Sequence, residues 1–471
     1  MNNTVFACGD QPSLLDASHD VVVIEGLCQH PGQMVEHGIE TDRAVIALHQ
    51  GMYDLPAVQK ALRGVGVDPL GAQIVDVYPD TDTASLLLEI DGLSARALAF
   101  AGSAPEHVKP VLPRATTRRG FLKPPAPVYV AVPNIDHHLC AAGDGCRACI
   151  EVCPQGAYQW HAGRIAYDKD ACLPCGLCVT RCPVGAIENP AVTAGMLEAQ
   201  VRALVSDVDG SVGIRFVCAR GAIDPRPGWF DIEVPCTSMV RGTWLLACLL
   251  LGAGAATAMP CAGTGCPLEL DDGAIQANDL AHAVLTSLGL ESGMVSGVDI
   301  YDQIPQYPIE EPFSSDRASY IVLALARATG GEIDVTHPAS YIGVVEIDAS
   351  ACTLCGQCAK TCPTHALIES YDGDTVSISF DALSCVNCTQ CVSACPEIRR
   401  GAISVSGRIS TAMLDGGRRE LHVGTIAKCE VCGKAIAPAP MMNRIGDLLG
   451  EEYQATMAVL ANRCLDCRGR R

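Results

Sequence analysis

Cysteines in a repeated spacing are the residues of this chain with the clearest chemical meaning. Three runs follow the pattern C-x2-C-x2-C-x3-C-P, in which three thiolates bind one [4Fe–4S] cube and the fourth binds a neighbouring cube. The runs are Cys172, Cys175, Cys178 and Cys182; Cys352, Cys355, Cys358 and Cys362; and Cys385, Cys388, Cys391 and Cys395. Zinc ligation explains neither the runs of four nor the proline after each run, so the pattern indicates one-electron chemistry on iron–sulfur clusters.

A fourth run departs from this spacing. It comprises Cys140, Cys146, Cys149 and Cys153, with five residues in its first gap instead of two, and Gly143 stands where the first ligand is expected. We expect Cys140 to complete the site through its longer loop. The alternatives are Asp144, water, or a [3Fe–4S] cluster that needs no fourth ligand.

These runs resemble bacterial ferredoxins and define two modules, at residues 135–195 and 340–412. The crossed ligation of that family implies two [4Fe–4S] clusters in each module, four in the chain. The ligand sets that this resemblance implies are Cys140, Cys146 and Cys149 with Cys182; Cys172, Cys175 and Cys178 with Cys153; Cys352, Cys355 and Cys358 with Cys395; and Cys385, Cys388 and Cys391 with Cys362. A β-hairpin is predicted between the two halves of each module, with turns at Ala162-Gly163 and Asp372-Gly373.

A looser set of cysteines lies in residues 210–335, which alternate between strand and helix patterns. Two cysteines follow predicted strands, and a C-x4-C pair follows a third. The domain resembles the delta subunit of methyl-viologen-reducing hydrogenase, although that family has a C-x2-C at its first position and this chain does not. The resemblance implies one [2Fe–2S] cluster on Cys218, Cys236, Cys261 and Cys266.

Two further expectations concern this central domain. Cys248 stands among leucines in a predicted helix and is interpreted as a small buried hydrophobic residue. The segment 298–301 is predicted to be a strand.

Residues 1–104 are predicted to form a small α/β domain with buried parallel strands at 20–24, 43–48 and 72–77. Its sequence resembles the N-terminal domain of the A-type subunit of heterodisulfide reductase. The flavin domain of that family is missing, and no complete G-x-G-x-x-G follows a strand, so no flavin is expected. Cys8 and Cys28 are interpreted as buried thiols, because two cysteines do not make a metal site.

The remaining segments are a linker and a C-terminal domain. Residues 105–134 are rich in proline and are predicted to be an extended linker. Residues 425–471 contain two C-x2-C pairs that resemble a zinc ribbon, which implies one structural Zn²⁺; a rubredoxin-like iron is the alternative. The four ligands of this site are Cys429, Cys432, Cys464 and Cys467.

Composition excludes several classes of protein. The 471 residues carry a formal net charge of −20, which argues against a nucleic-acid-binding protein. The most apolar stretch, 244–259, is shorter than the roughly 20 residues that span a bilayer. The first residues do not resemble a secretory signal, so we expect a cytoplasmic protein without a membrane span, whose thiols are reduced and available to metal.

Together these patterns predict a multidomain α/β and α+β protein, with two ferredoxin-like modules on either side of the [2Fe–2S] domain. The resemblances imply an electron-transfer subunit, not itself catalytic, of a larger hydrogenase-, formate dehydrogenase- or heterodisulfide reductase-like complex. Its expected partners are catalytic and flavin-containing subunits. Two alternatives are a self-contained iron–sulfur reductase of disulfides or small substrates and a zinc-stabilised interaction scaffold.

Overall fold

The computed structural model describes most of the chain. The described residues are 2–9, 19–112, 126–206, 211–218, 225–260, 268, 270, 272–314, 316–449, 459 and 461–468. They form two compact units. The first unit comprises Met1–Cys140, Ala148–Arg317 and Ala324–Gly331, and the second comprises Ala141–Arg147, Ala318–Leu323 and Glu332–Arg471.

A four-stranded parallel sheet forms the N-terminal domain of the first unit. Its strands have the order β2-β1-β3-β4. They are β1 (Asn3–Cys8), β2 (Asp20–Ile24), β3 (Arg43–His49) and β4 (Gln73–Val77), with helices α1 (Gln33–Glu36), α2 (Leu55–Gly64) and α3 (Thr83–Leu98). The three predicted strands are present, and β1, which the pattern did not predict, lies between two of them. Side chains from both faces of the sheet are buried, as expected for parallel strands.

Helix α3 joins this sheet to the rest of the first unit. It packs against α6 (Ala194–Val205), and Gly92 allows the approach because a Cβ there would lie 2.9 Å from the Leu204 side chain. Arg96 is buried at the same contact. Its guanidinium donates to Gln200 Oε1 (2.9 Å) and to the Glu233 carbonyl oxygen (3.1 Å).

The described parts of the predicted linker contain two strands. Strands β5 (Val108–Val111) and β6 (Val128–Ala131) pair antiparallel, and residues 113–125 between them lie outside the described part of the chain. Tyr129 fixes this pair to α2, because its amide donates to Gln59 Oε1 at 2.8 Å. The sequence pattern gave no sign of this strand pairing.

The first cysteine-rich module has short elements. Its outer strands, β7 (Asn134–Ile135) and β10 (Ile187–Glu188), pair antiparallel. Between them lie α4 (Ala148–Val152), α5 (Leu177–Arg181) and the hairpin of β8 (Tyr158–His161) and β9 (Arg164–Tyr167). The hairpin turns at Ala162-Gly163, as predicted, with both residues at positive φ.

The central domain is a three-stranded parallel sheet in the order β12-β11-β13. Its elements are β11 (Gly213–Cys218), β12 (Trp229–Val234), α7 (Gly242–Leu251), β13 (Ala255–Ala258) and α8 (Asp272–Ser287). Helix α9 (Ala318–Thr329) follows in the chain and contains residues of both units. Every residue of α7 is buried. The predicted strand at 298–301 was wrong. Residues 298–301 form no strand, and Val298 is 54% exposed.

The second unit contains the other cysteine-rich module and the C-terminal domain. Strand β15 pairs with β18, β14 pairs with β19, and a four-stranded sheet has the order β16-β17-β20-β21. The strands are β14 (Asp334–Thr336), β15 (Val344–Ile347), β16 (Leu367–Asp372), β17 (Thr375–Phe380), β18 (Ile403–Ser406), β19 (Arg408–Ser410), β20 (Arg419–Lys428) and β21 (Ala435–Pro438). The helices are α10 (Gln357–Lys360), α11 (Gln390–Ser393), α12 (Thr411–Asp415), α13 (Ala439–Leu449) and α14 (Leu465–Arg468). The hairpin of the module thus continues into the C-terminal domain through one antiparallel sheet.

A membrane-spanning helix is not found among the residues that the structure describes.

Arg96 provides a test of the contact between α3 and α6. Substitution Arg96→Met leaves Gln200 and the Glu233 carbonyl without their donor, and removing one partner of a buried polar contact costs about 3 kcal/mol. We expect the free energy of unfolding of the first unit to fall by that amount. All three tryptophans lie in this unit, so urea unfolding followed by tryptophan fluorescence measures it. The control is Lys60→Met on the exposed face of α2; equal stability of the two variants would contradict the role given to Arg96.

Candidate metal centres

Two pockets in the second unit are each lined by four cysteines. The first pocket, which we call site A, brings Cys352, Cys355 and Cys358 together with Cys395. The second, site B, brings Cys385, Cys388 and Cys391 together with Cys362. In both sites the fourth cysteine comes from the other run of the sequence, because the chain between the runs folds back as the hairpin β16–β17.

A third pocket, site C, has the same composition in the first unit. It is lined by Cys153 from one run and by Cys172, Cys175 and Cys178 from the next. Tyr158, Leu173 and Leu177 are among the other residues that line it, and the pocket is largely apolar. Three pockets in the described residues therefore have four thiols each in the arrangement that [4Fe–4S] clusters require.

The loops around these pockets need backbone conformations that few residues adopt. The residue that follows the second cysteine of the run has a positive φ in each loop: +78° at Gly176, +70° at Gly356 and +60° at Thr389. A Cβ at Gly176 would lie 2.4 Å from Met239 Sδ, and one at Gly356 would lie 2.4 Å from the Glu369 carboxylate. The positive φ favours glycine at the first two positions, and a larger residue there would also displace the end of the Met239 or Glu369 side chain.

Hydrogen bonds to sulfur reach several of the thiols. Backbone amides donate to Cys153 (from Ala157, 3.4 Å) and to Cys352 (from Leu354, 3.4 Å). Site C has a side-chain donor in addition, because the Tyr158 hydroxyl lies 3.2 Å from Cys178 Sγ. Hydrogen-bond donors to a ligand sulfur raise the reduction potential of an iron–sulfur cluster, so these donors tune the reduction potential at each site.

The electrostatics of the pockets favour a cationic occupant. Burial raises the pKa of the Cys175 thiol to about 11 and that of Cys385 to about 12. Four thiolates buried together would be very unfavourable without a positive charge at their centre. An iron–sulfur core supplies that charge, and a coordinating thiol is deprotonated by its metal. The thiol sets of sites A, B and C therefore fit the group that their spacing predicts.

The ligand set expected around Cys140 divides between the two units. Cys140, Cys149 and Cys182 belong to the first unit, whereas Cys146 and Asp144 lie in the segment Ala141–Arg147 of the second. Within the first unit, α4 packs against α5. Burial raises the pKa of Cys182, and the neighbouring charge of Cys140 adds to this effect. The choice between Cys140, Asp144, water and a [3Fe–4S] cluster stays a prediction.

The central domain places two of its predicted ligands at one edge of the sheet. Cys218 ends β11, and Cys236 follows the end of β12, the neighbouring parallel strand. The other two predicted ligands, Cys261 and Cys266, lie outside the described residues. Cys236 is close enough to site C for its charge to raise the pKa of Cys175, after the larger effect of burial. Cys248 is fully buried, in agreement with its interpretation.

Four thiols converge in the C-terminal domain. The sulfur atoms of Cys429, Cys432, Cys464 and Cys467 all lie within 4.8 Å of one another. The first pair occupies the turn between β20 and β21, where the Gly433 amide donates to the Cys429 carbonyl oxygen at 2.8 Å. Three of the four thiols are buried. Four convergent sulfurs can hold one tetrahedral ion such as Zn²⁺.

One group of donors was missed by the sequence analysis. His49 lies with Cys8 and Cys28, and the three donor atoms are within 4.8 Å of one another. The two thiols are buried, as expected. Its position in the sequence was the available signal, because His49 directly follows the strand predicted at 43–48, and the sites of α/β sheets occur at such strand ends.

Comparison with known proteins agrees with the cysteine geometry. Residues 143–186 and 344–409 each match a family described as a 4Fe-4S dicluster domain. Two uncharacterized ferredoxins of Methanocaldococcus jannaschii are similar to this chain. One is 38% identical over 56 residues, which cover 12% of this chain and 31% of the relative. The other is 37% identical over 57 residues, which cover 11% of this chain and 70% of the relative.

The matched segments contain the cysteines that line sites A, B and C. The chain spans less than a third of the length of the first relative and more than two thirds of the length of the second. These matches support an iron–sulfur protein with an electron-transfer role. The chain belongs to the ferredoxin family, with two 4Fe-4S dicluster domains.

Proposed function

We propose that this protein is an electron-transfer subunit of a larger redox complex, in which it connects a catalytic partner with a flavin-containing one. It would hold four [4Fe–4S] clusters, one [2Fe–2S] cluster and one Zn²⁺. The resemblances to heterodisulfide reductase and to the hydrogenase delta subunit support this type of complex. The observation that most strongly supports the proposal is that several distinct four-cysteine sites occur in one chain.

Sites A, B and C are the parts of this proposal with the most structural support. An iron–sulfur cluster in such a site accepts and releases one electron at a time. The chain's own residues supply the thiolates, exclude water through apolar walls and donate hydrogen bonds to sulfur. A chain that holds several clusters with suitable reduction potentials can therefore transfer electrons from one cluster to the next.

The [2Fe–2S] and zinc sites have different support. The position of Cys218 and Cys236 at neighbouring strand ends, close to site C, favours a cluster there that exchanges electrons with site C. Zinc in the C-terminal domain is favoured because its four sulfurs lie close together at the end of a β-hairpin. That ion would stabilise the fold and carry no electrons, since Zn²⁺ has no redox chemistry.

An assay of the isolated chain separates electron transfer from catalysis. We expect the anaerobic chain, reduced with dithionite and then freed of it, to pass its stored electrons to oxidised benzyl viologen. It should not reduce disulfides or other small substrates over many turnovers, because the catalytic centre belongs to a partner. Sustained turnover of a disulfide by the chain alone would establish the self-contained reductase instead. A colourless zinc protein without a paramagnetic signal after reduction would establish the scaffold.

Paired substitutions test the ligand sets of sites A and B. The variant Cys355→Ser with Cys395→Ser changes two cysteines of one site, and we expect it to lose about four iron atoms per chain. The matched variant Cys355→Ser with Cys362→Ser changes one cysteine in each site and is expected to lose about eight. Iron and protein analysis gives both values. The reverse order would mean that each run binds its own cluster, which would contradict the crossed sets.

Tyr158 tests the hydrogen bond to sulfur in site C. Its donor stabilises the more negative, reduced state, so Tyr158→Phe should lower the potential of that cluster. The expected shift is roughly 40 mV, the one-electron equivalent of about 1 kcal/mol. Redox titration followed by paramagnetic resonance measures it. Tyr371→Phe is the control, because that hydroxyl donates to Glu369; a shift of equal size there would remove the explanation.

A further inference from the structure

Cys8, Cys28 and His49 form a group that the iron–sulfur sites do not use. Each lies at or just beyond the carboxyl end of a strand: Cys8 ends β1, Cys28 follows β2 and His49 ends β3. These strands are neighbours in the parallel sheet, since β1 pairs with both β2 and β3. Three chain segments therefore bring one metal-ligating side chain each to the same edge, where α/β sheets place their sites.

The distances within the group suit a metal ion. All three donor atoms lie within 4.8 Å of one another, and Cys28 Sγ is 3.3 Å from His49 Nδ1. In a tetrahedral zinc site, bond lengths of about 2.3 Å to sulfur and about 2.0 Å to nitrogen place the donor atoms roughly 3.5–3.8 Å apart. The Cys28–His49 pair is thus already near the required spacing. Small side-chain movements bring Cys8 to the same range.

One backbone hydrogen bond would stabilise Cys28 as a metal-bound thiolate. The backbone amide of His49 donates to Cys28 Sγ at 3.3 Å, a hydrogen bond that strengthens when the sulfur is charged. Both thiols are buried, with 6% exposure at Cys8 and 3% at Cys28, whereas His49 is half-buried. Such a charged sulfur in an apolar core needs a cation beside it.

Cys248 is a buried cysteine that, among the described residues, has no such group of metal-ligating side chains around it. It lies within α7, between fully buried leucines, and helical neighbours offer it no convergent set of donors from separate strands. Cys8 and Cys28 differ because an imidazole approaches them from a third strand. All three cysteines are buried, so the difference between them lies in the donor atoms nearby.

We propose that Cys8, Cys28 and His49 bind one Zn²⁺ ion, a site separate from the iron–sulfur clusters and from the four-cysteine group of the C-terminal domain. Binding releases the two thiol protons and leaves the imidazole neutral. Three protein donors leave one position of a tetrahedral ion for water or an incoming ligand, as in zinc sites with an exchangeable position. The ion would also hold the ends of β1 and β3 to the turn after β2.

The test uses the full-length chain in a background without the C-terminal site, Cys432→Ser with Cys464→Ser. The protein is produced with added zinc and purified anaerobically, and its zinc and iron are measured by mass spectrometry. We expect one zinc per chain to remain. Zinc K-edge absorption, which iron does not obscure, should show two sulfur neighbours at about 2.3 Å and a nitrogen at about 2.0 Å.

Further substitutions in this background assign that ion. Cys8→Ser and the less buried His49→Gln should each release the zinc while the iron content is unchanged, which shows that the chain still folds. Cys248→Ala, the matched buried thiol, should retain it. A background protein with full iron and no bound zinc would overturn the proposal, as would a Cys8–Cys28 disulfide or a zinc content that His49→Gln leaves unchanged.

Discussion

Convergence of buried thiols is the constraint on which the ferredoxin modules depend. Their helices have four or five residues and many of their strands have two to four, so side-chain packing alone buries little apolar surface in each module. Thiols that point inward from separate loops also repel one another once they are ionised. Metal binding removes this repulsion and joins the loops, so that folding of the module and assembly of its site are one process.

The same constraint explains which features could be predicted from the sequence. Ligand spacing along a run is local, so the runs around Cys172, Cys352 and Cys385 identify their chemistry without a fold. Turn positions such as Ala162-Gly163 are local as well. His49 was missed because its partners are distant in sequence and meet it only through parallel pairing of β1 with β2 and β3. A long-range contact leaves no spacing to recognise.

Errors in the predicted elements have a related cause. The segment 298–301 has β-branched and aromatic residues typical of a strand, but residue types do not show whether a hydrogen-bonding partner strand is present. Val298 in this segment is 54% exposed. Proline in 105–134 restricts φ and favours extended backbone, which is compatible with both a free linker and an edge strand. The strands β5 and β6 pair although residues 112–127 separate them in the sequence, so no local pattern indicates the pairing.

The cysteines of this chain show that burial alone does not determine what a thiol does. Cys248, Cys28, Cys429 and Cys385 are all buried, yet their surroundings differ in kind. Cys248 lies within a fully buried, leucine-rich helix, Cys429 meets three sulfurs around one point, and Cys385 lines a pocket together with three other cysteines. Cys28 meets a sulfur and an imidazole. A single metal ion requires donor atoms that lie close together, whereas an iron–sulfur cluster requires donor atoms spread around its core. The separation of the donor atoms therefore distinguishes a single-ion site from a cluster site.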